Sequence, residues 1–306
     1  MVHPGTVPSW NKGEIVASPL IRRLRLGDEL RERRHATGLS STKLGERAGL
    51  DRLTVERIER GDRRPDTNKV MALLDALGVD EGSPDYLSLI RMSRDAGSSG
   101  WWDGPEYRNM GDVQRIYADI ESGAASVVIY SNAVMPGVLQ TADYMNSRFE
   151  AVQLDFDDLD PVTLTARMRR QQELVRPGGA RLAVFVEEQV IRRPLVPAEV
   201  MVDQLQHLLD LQDELTQFSL HVVPVDAPFV GVGAPMSPFS VHRFADAGDG
   251  VAVLVEMRPR DQLIRDAIGA GQYVRLADRL RDVAMSEADS AAFLRDHMTA
   301  LKREKE

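Results

Sequence analysis

Residues 39–61 read LSSTKLGERAGLDRLTVERIERG, two short helical periods interrupted once, at Gly49. Nothing else in the chain restricts its fold so tightly. Leu44, Ala48, Leu50, Val55 and Ile58 are spaced to hold two short helices together, with Val55 and Ile58 on one face of the second. A steep helix crossing needs a tight turn, and glycine supplies the backbone freedom for it. Ser40 or Ser41 can cap the first helix, which runs to Ala48. Asp51 can cap the second, because its carboxylate accepts free N–H groups of the first turn, and Gly61 ends it.

Such a pair can place the first turn of its second helix in the major groove of duplex DNA. The outward face carries Arg52, Leu53, Thr54, Glu56 and Arg57. The Arg52 fork matches guanine O6 and N7. Thr54 offers a methyl to thymine or a hydroxyl to phosphate, and Arg57 can serve either base or backbone. Arg60, Arg63 and Arg64 are placed to hold phosphates, and Ser41 and Lys43 on the first helix complete the candidate DNA contacts.

The flanks extend the helical pattern. Residues 20–36 form one amphipathic helix through Leu20, Ile21, Leu24, Leu26 and Leu30, with an arginine-rich outer face. Residues 67–77 form another through Val70, Leu73, Leu74 and Leu77, and a fifth starts at Pro84 and runs to about Met92. The expectation is an all-α domain over 20–94, preceded by a flexible arm over 1–19. The stretch DAGSSG at 95–100 reads as a linker. Trp101 and Trp102 follow it, to lock two domains together or to plug the edge of a second core.

Charge separates the same regions. The chain of 306 residues carries a net charge of −9, yet residues 21–64 carry 13 Lys and Arg against 8 Asp and Glu. A module of +5 thus sits on a remainder of −14. There is no cysteine, which excludes disulfides and thiolate metal sites. No apolar run approaches the roughly 20 residues of a membrane helix. The start MVHPGTVPSWNKG lacks the pattern of a signal peptide, so a cytoplasmic location is expected.

Residues 101–292 read as a larger α+β domain with a mostly antiparallel sheet. Helices are expected over 110–122, 138–150, 161–175, 197–215 and 269–283. Strands are expected over 126–130, 181–187, 218–225, 239–244 and 251–257. Residues 293–306 read as a charged tail.

The stretch GLSSTKLGERAGLDRLTVERIERG resembles the helix-turn-helix of the Xre family, the Cro and lambda-repressor type. Leu39, Ser40, Leu44, Gly49, Thr54, Ile58, Glu59 and Gly61 fall in register without a gap. Ser41 stands where the family often has glutamine, Gly45 where it has alanine, Asp51 where it has a capping serine, and Glu56 where it has a neutral residue. The remainder resembles the carboxy-terminal domain of actinobacterial Xre regulators of the Scr1-type, DUF5753-like group. The segments that carry this resemblance are WWDG at 101–104, Pro136-Gly137-Val138-Leu139-Gln140-Thr141-Ala142-Asp143-Tyr144, the run Arg167 to Gln171, Glu187 or Glu188 before Ile191-Arg192-Arg193-Pro194, and Val253-Leu254-Val255-Glu256. The resemblance implies a transcription regulator, many of which are encoded beside a small partner protein in an antitoxin–toxin-like arrangement.

Signals for enzymatic chemistry are weak, and neither a metal nor a cofactor is expected. Ser40-Ser41-Thr42-Lys43 matches a Ser-x-x-Lys pattern by chance within the helix-turn-helix. GVGAP at 231–235 lacks the full dinucleotide-binding spacing, and the acidic run from Asp155 to Asp160 lacks the glycine of a calcium loop. His221 and His242 are candidates to meet across neighbouring strands. Tyr130, Met135, Gln140, Tyr144 and Arg170 are candidates to line a pocket, and residues 229–239 to form a lid or docking segment. Two readings follow. One is a dimeric, sequence-specific DNA-binding regulator whose second domain senses a ligand or partner protein. The alternative is an antitoxin-like module that sequesters a small partner.

Overall fold

The computed structural model describes residues 17–151, 161–229, 233–257 and 260–303. The acidic run at 155–160 and part of the 229–239 segment lie outside the described residues, as does most of the arm over 1–19.

Five helices form the first domain: α1 (Pro19–Ala36), α2 (Ser41–Ala48), α3 (Arg52–Arg60), α4 (Thr67–Ala76) and α5 (Pro84–Gly97). Side-chain caps start all five. Ser18, Ser40, Asp51, Asp66 and Ser83 each accept a backbone N–H of the first turn. Gly49 and Gly61 end α2 and α3 in the left-handed conformation, both at φ 67°, where a side chain is strained. Leu26, Leu30, Leu44, Val55, Val70, Leu73, Leu74 and Leu89 form the buried core. α5 continues past Met92 through the first half of the expected linker.

Two glycines are set by packing. A Cβ on Gly45 would lie 2.6 Å from the Leu50 carbonyl oxygen, so the alanine of the family pattern does not fit this turn. One on Gly27 would run into the backbone of Ile58 and Glu59, so α1 and α3 touch almost main chain to main chain.

The second domain is built on one six-stranded sheet. Its strands are β1 (Ala124–Ser131), β2 (Arg181–Glu187), β3 (Phe218–Val223), β4 (Phe239–Phe244), β5 (Val251–Val255) and β6 (Gln262–Ile264), in the order β3-β2-β1-β4-β5-β6. The expected mostly antiparallel sheet is mixed. β1, β2 and β3 are parallel, joined by helical crossovers, and β4, β5 and β6 add antiparallel on the other side of β1. The helices are α6 (Asp112–Gly123), α7 (Ala142–Ala151), α8 (Pro161–Leu174), α9 (Glu188–Arg192), α10 (Ala198–Glu214), α11 (Ala267–Val283) and α12 (Glu287–Arg303).

Alternation along the strands divides the sheet into two buried faces. Val128, Tyr130, Val241 and Val253 pack against Ala270, Ala277 and Leu280 of α11. On the opposite face, Val184, Val186, Leu220 and Val222 pack under α10 and α12. Beyond them Phe244, Ala252 and Leu254 pack with Tyr117 and Ile120 of α6 and with Ile21 of α1. The charged tail expected from residue 293 is instead the body of α12: Leu294 and Met298 are buried in the core, a helical period masked in the sequence by its charged outer face. His221 and His242 do not meet, because β3 and β4 are separated by β2 and β1.

Trp102 is buried with Tyr107, Met110, Ala118 and Ala166, so it plugs the second core, and Trp101 packs edge-on against it and Tyr107. The two domains are joined elsewhere. Ser18 Oγ donates to Asp119 Oδ1 of α6 at 2.6 Å, and the Leu20 N–H donates to the same oxygen at 2.9 Å. Arg22 and Arg25 of α1 reach Asp246 and Asp249 in the β4–β5 connection.

Candidate DNA interface and the cavity of the second domain

The helix-turn-helix is assembled from three directions. α3 buries Val55 and Ile58 toward the core and leaves its N-terminal turn outside. Arg34 of α1 grips Glu59 from behind: Nε donates to Oε1 at 2.6 Å, Nη2 to Oε2 at 2.8 Å, and Nη1 to the Leu39 carbonyl at 3.0 Å. A residue near the end of α3 is thus pinned to α1 and to the loop entering α2. Sequence spacing gave no sign of this pair, because its partners are 25 residues apart.

Of the expected contact residues, Lys43, Arg52, Leu53, Arg60, Arg63 and Arg64 are exposed, and Ser41, Thr54 and Arg57 are half-buried. Leu53 is 45% exposed on an otherwise polar face, an apolar contact free for a thymine methyl. Several of the others already have partners. Arg52 Nη1 lies 3.1 Å from Glu56 Oε1, which also accepts from Ser41 Oγ at 3.3 Å. Thr54 donates its hydroxyl to Asp51 at 2.7 Å, and this bond, with the backbone N–H of Thr54, holds the Asp51 carboxyl below the usual carboxylate range. Lys43 sits 3.5 Å from Glu46, and Arg60 pairs with Asp62. Arg64 turns away toward Asp103 and Ser99 at the start of the second domain.

The basic cluster of the sequence therefore resolves into two populations. Arg22, Arg25, Arg33 and Arg34 on α1 are ion-paired within the fold. Lys43, Arg47, Arg52, Arg60 and Arg63 of α2, α3 and the following turn lie on the external surface, while Arg64 is turned to Asp103.

The second domain contains a cavity of about 820 Å³. It lies over the seam between β1 and β4, where the parallel half of the sheet meets the antiparallel half: Ile129 and Ser131 face it from β1, and Ser240 and His242 from β4. Segments far apart in sequence meet here. The loop Pro136 to Gln140 forms one wall, braced by Gln171 of α8, whose Nε2 donates to the Gly137 and Gln140 carbonyls at 2.9 and 2.7 Å. Arg167 and Arg170 of α8, Tyr117 and Glu121 of α6, and Glu256 after β5 line the rest. Met135, Gln140 and Arg170 line it as anticipated; Tyr130 and Tyr144 are buried in the two cores.

Arg170 is held bidentately by Glu121, Nε to Oε2 at 2.9 Å and Nη2 to Oε1 at 2.6 Å, and its guanidinium sits 4.7 Å from the centre of the Tyr117 ring. His242 Nε2 lies 2.8 Å from Ser240 Oγ. Burial, reinforced by Arg170, holds the His242 pKa down to about 3. The folded ring is therefore neutral, whereas the unfolded chain takes up a proton below the ordinary value of 6.5. Between pH 6.5 and 3 the unfolded state binds the extra proton, so this contribution is lost as pH falls through that window. At pH 5 the loss is about 2 kcal/mol. Urea unfolding of the parent and of His242→Gln at pH 7 and pH 5 isolates it: the parent's extra acid sensitivity should vanish in the variant.

Among the described residues no group of three or more His, Asp or Glu side chains is arranged to hold a metal ion, and no helix is long and apolar enough to cross a membrane.

The capped, glycine-turned pair α2–α3, with its N-terminal turn outside and a six-stranded α/β domain behind it, defines a helix-turn-helix DNA-binding protein with a second domain. Residues 25–83 match a helix-turn-helix domain model, and residues 114–296 match the family described as a domain of unknown function, DUF5753. That second match covers more than half of the chain, and the chain belongs to the DUF5753 family. No curated protein and no solved structure matches it.

Proposed function

We propose that this chain is a sequence-specific transcriptional regulator of the cytoplasm that binds a palindromic operator as a homodimer, with the α/β domain receiving a small-molecule or protein signal. The observation that carries this reading is the first turn of α3, where Arg52 and Leu53 stand exposed beside Arg57. One such helix reads too few base pairs for selectivity; two on a palindrome double the readout and set the half-sites about 34 Å apart. The reading assigns no catalysis to either domain.

The test is a genomic footprint of the purified protein, followed by salt titration on the enriched site. A single palindrome and a steep fall of affinity with salt support the reading. Equal, weak and salt-insensitive binding to every duplex would end it. Arg52→Ala should cost about 1–3 kcal/mol of operator affinity and relax specificity at one base pair. An equal loss on all sequences would place Arg52 on a phosphate.

The alternative, sequestering a small partner protein, draws on the acidic remainder and on two exposed apolar side chains. Val225 and Met236 are 81% and 94% exposed near the carboxyl ends of the parallel strands. Val225→Asp with Met236→Asp should abolish such an interaction and leave DNA binding unchanged.

A further inference from the structure

The face that α3 turns outward holds a carboxylate among its cations. Glu56 lies one helical turn beyond Arg52, and its Oε1 is 3.1 Å from Arg52 Nη1. The same oxygen accepts from Ser41 Oγ, on the first residue of α2, at 3.3 Å. The two side chains of the ion pair are open to different degrees, 25% for Glu56 and 64% for Arg52. Glu56 is therefore lodged between α2 and α3 and tied to both, while the guanidinium it touches stands out into solvent. An ion pair this open adds little to the stability of the fold. Its place on the recognition helix gives it another use.

We propose that Glu56 is a positioning residue for base recognition: it holds the Arg52 guanidinium in the conformation that presents its remaining N–H groups to a guanine in the major groove. Arginine carries its donors in a planar fork. Directing Nη1 at Glu56 leaves the edge formed by Nε and Nη2 complete, and two parallel donors are what guanine O6 and N7 accept. A long side chain on an open surface loses rotamer freedom when it binds, and fixing it beforehand removes part of that cost. The pair also strengthens on binding, because the groove excludes the water that screens it in the unbound protein.

On every other sequence the carboxylate works against binding. It brings a negative charge toward a groove flanked by phosphates, and only a guanine under Arg52 offsets this. Glu56 thus lowers affinity for duplex DNA in general and raises it for one base pair, a difference that is selectivity itself. This inference rests on the DNA-reading half of the proposed function and adds how its central arginine is aimed.

The experiment uses the full chain, first without DNA. Nitrogen relaxation of the Arg52 Nε–H group reports how well the guanidinium is ordered, and Glu56→Gln should lower that order. An Arg52 as mobile in the parent as in the variant overturns the proposal. Binding to a randomised duplex library at fixed salt is then compared for the parent, Glu56→Gln, Arg52→Ala and the double variant. Glutamine keeps the size of Glu56 and can still accept from Ser41. Glu56→Gln should weaken the preference for guanine at one position by roughly threefold or more, and raise affinity for the unselected duplexes. Mere loss of folded protein lowers both affinities together and does not give this split. With Arg52→Ala in place, Glu56→Gln should leave base preference unchanged. An unaltered guanine preference in Glu56→Gln overturns the proposal. So does a changed preference that persists in the Arg52→Ala background, which makes Glu56 itself a reader of bases. A parent with no base preference ends the regulator reading and this inference with it, whereas a selective parent indifferent to Glu56→Gln ends this inference alone.

Discussion

Glu121→Leu should destabilise the protein by about 3–5 kcal/mol, because it strands the Arg170 guanidinium in the interior. Both side chains are more than nine-tenths buried, and Arg170 reaches no other carboxylate at ion-pair distance among the described residues. The size of the effect lies in the asymmetry between breaking a buried pair and replacing it. Two charges taken out of water lose their hydration, and their mutual attraction with good hydrogen bonds offsets that loss. Removing one leaves the desolvation of the other uncompensated. Arg170→Met combined with Glu121→Leu should therefore recover most of the loss, since an apolar pair has nothing to desolvate. Urea unfolding of the two single variants and the double variant measures this as a coupling. Additive losses would show that the pair is solvated and that the cavity floor is wetter than its burial implies. Arg170→Lys should fall near the single variants, because an ammonium cannot reproduce the two parallel bonds.

A second large effect is expected at Glu59→Ala, again about 3–5 kcal/mol, with Arg34 left unpaired beneath the recognition helix. The consequence differs, because this pair stands behind a proposed functional surface. Arg34 ties Glu59 on α3 to the Leu39 carbonyl at the entrance of α2, so the pair fixes the angle between the two helices. At a temperature where the variant remains folded, operator affinity should still fall. Thermal unfolding and DNA binding on one preparation separate the two quantities. Loss of stability with unchanged affinity would make the pair a fastening of the domain alone.

Much of the first domain was legible because its determinants are local. Caps, the Gly49 turn and the spacing of Leu44, Val55 and Ile58 all act within a few residues. The strands of the second domain were legible as valine-rich runs, while their order was not, since a strand's sequence carries little record of which neighbour it pairs with. β6, at three residues, is too short for its alternation to show. α12 was hidden by its charges, which occupy the outer face of a helix whose inner face holds Ala291, Leu294 and Met298. The cavity was read in part. Met135, Gln140 and Arg170 stood in the right segments, but Tyr117, Ser240 and His242 reach it only through the β1–β4 pairing and the placement of α6. The arginines of residues 21–64 looked like one basic surface; pairing partners as distant as Asp246 and Asp249 divide them.

The position of Ile21 changes what counts as an exchangeable part. By sequence the seam falls in the small-residue stretch 95–100, and a chimera joined there looks natural. Yet Ile21 packs among Tyr117, Ile120, Phe244 and Leu254, and Ser18 is bonded to Asp119. A foreign helix-turn-helix grafted at that seam would bring its own first helix and leave this socket unfilled. A working hybrid must keep residues 18–25 and change partners after them, inside α1, so the part that can be exchanged begins partway along its first helix.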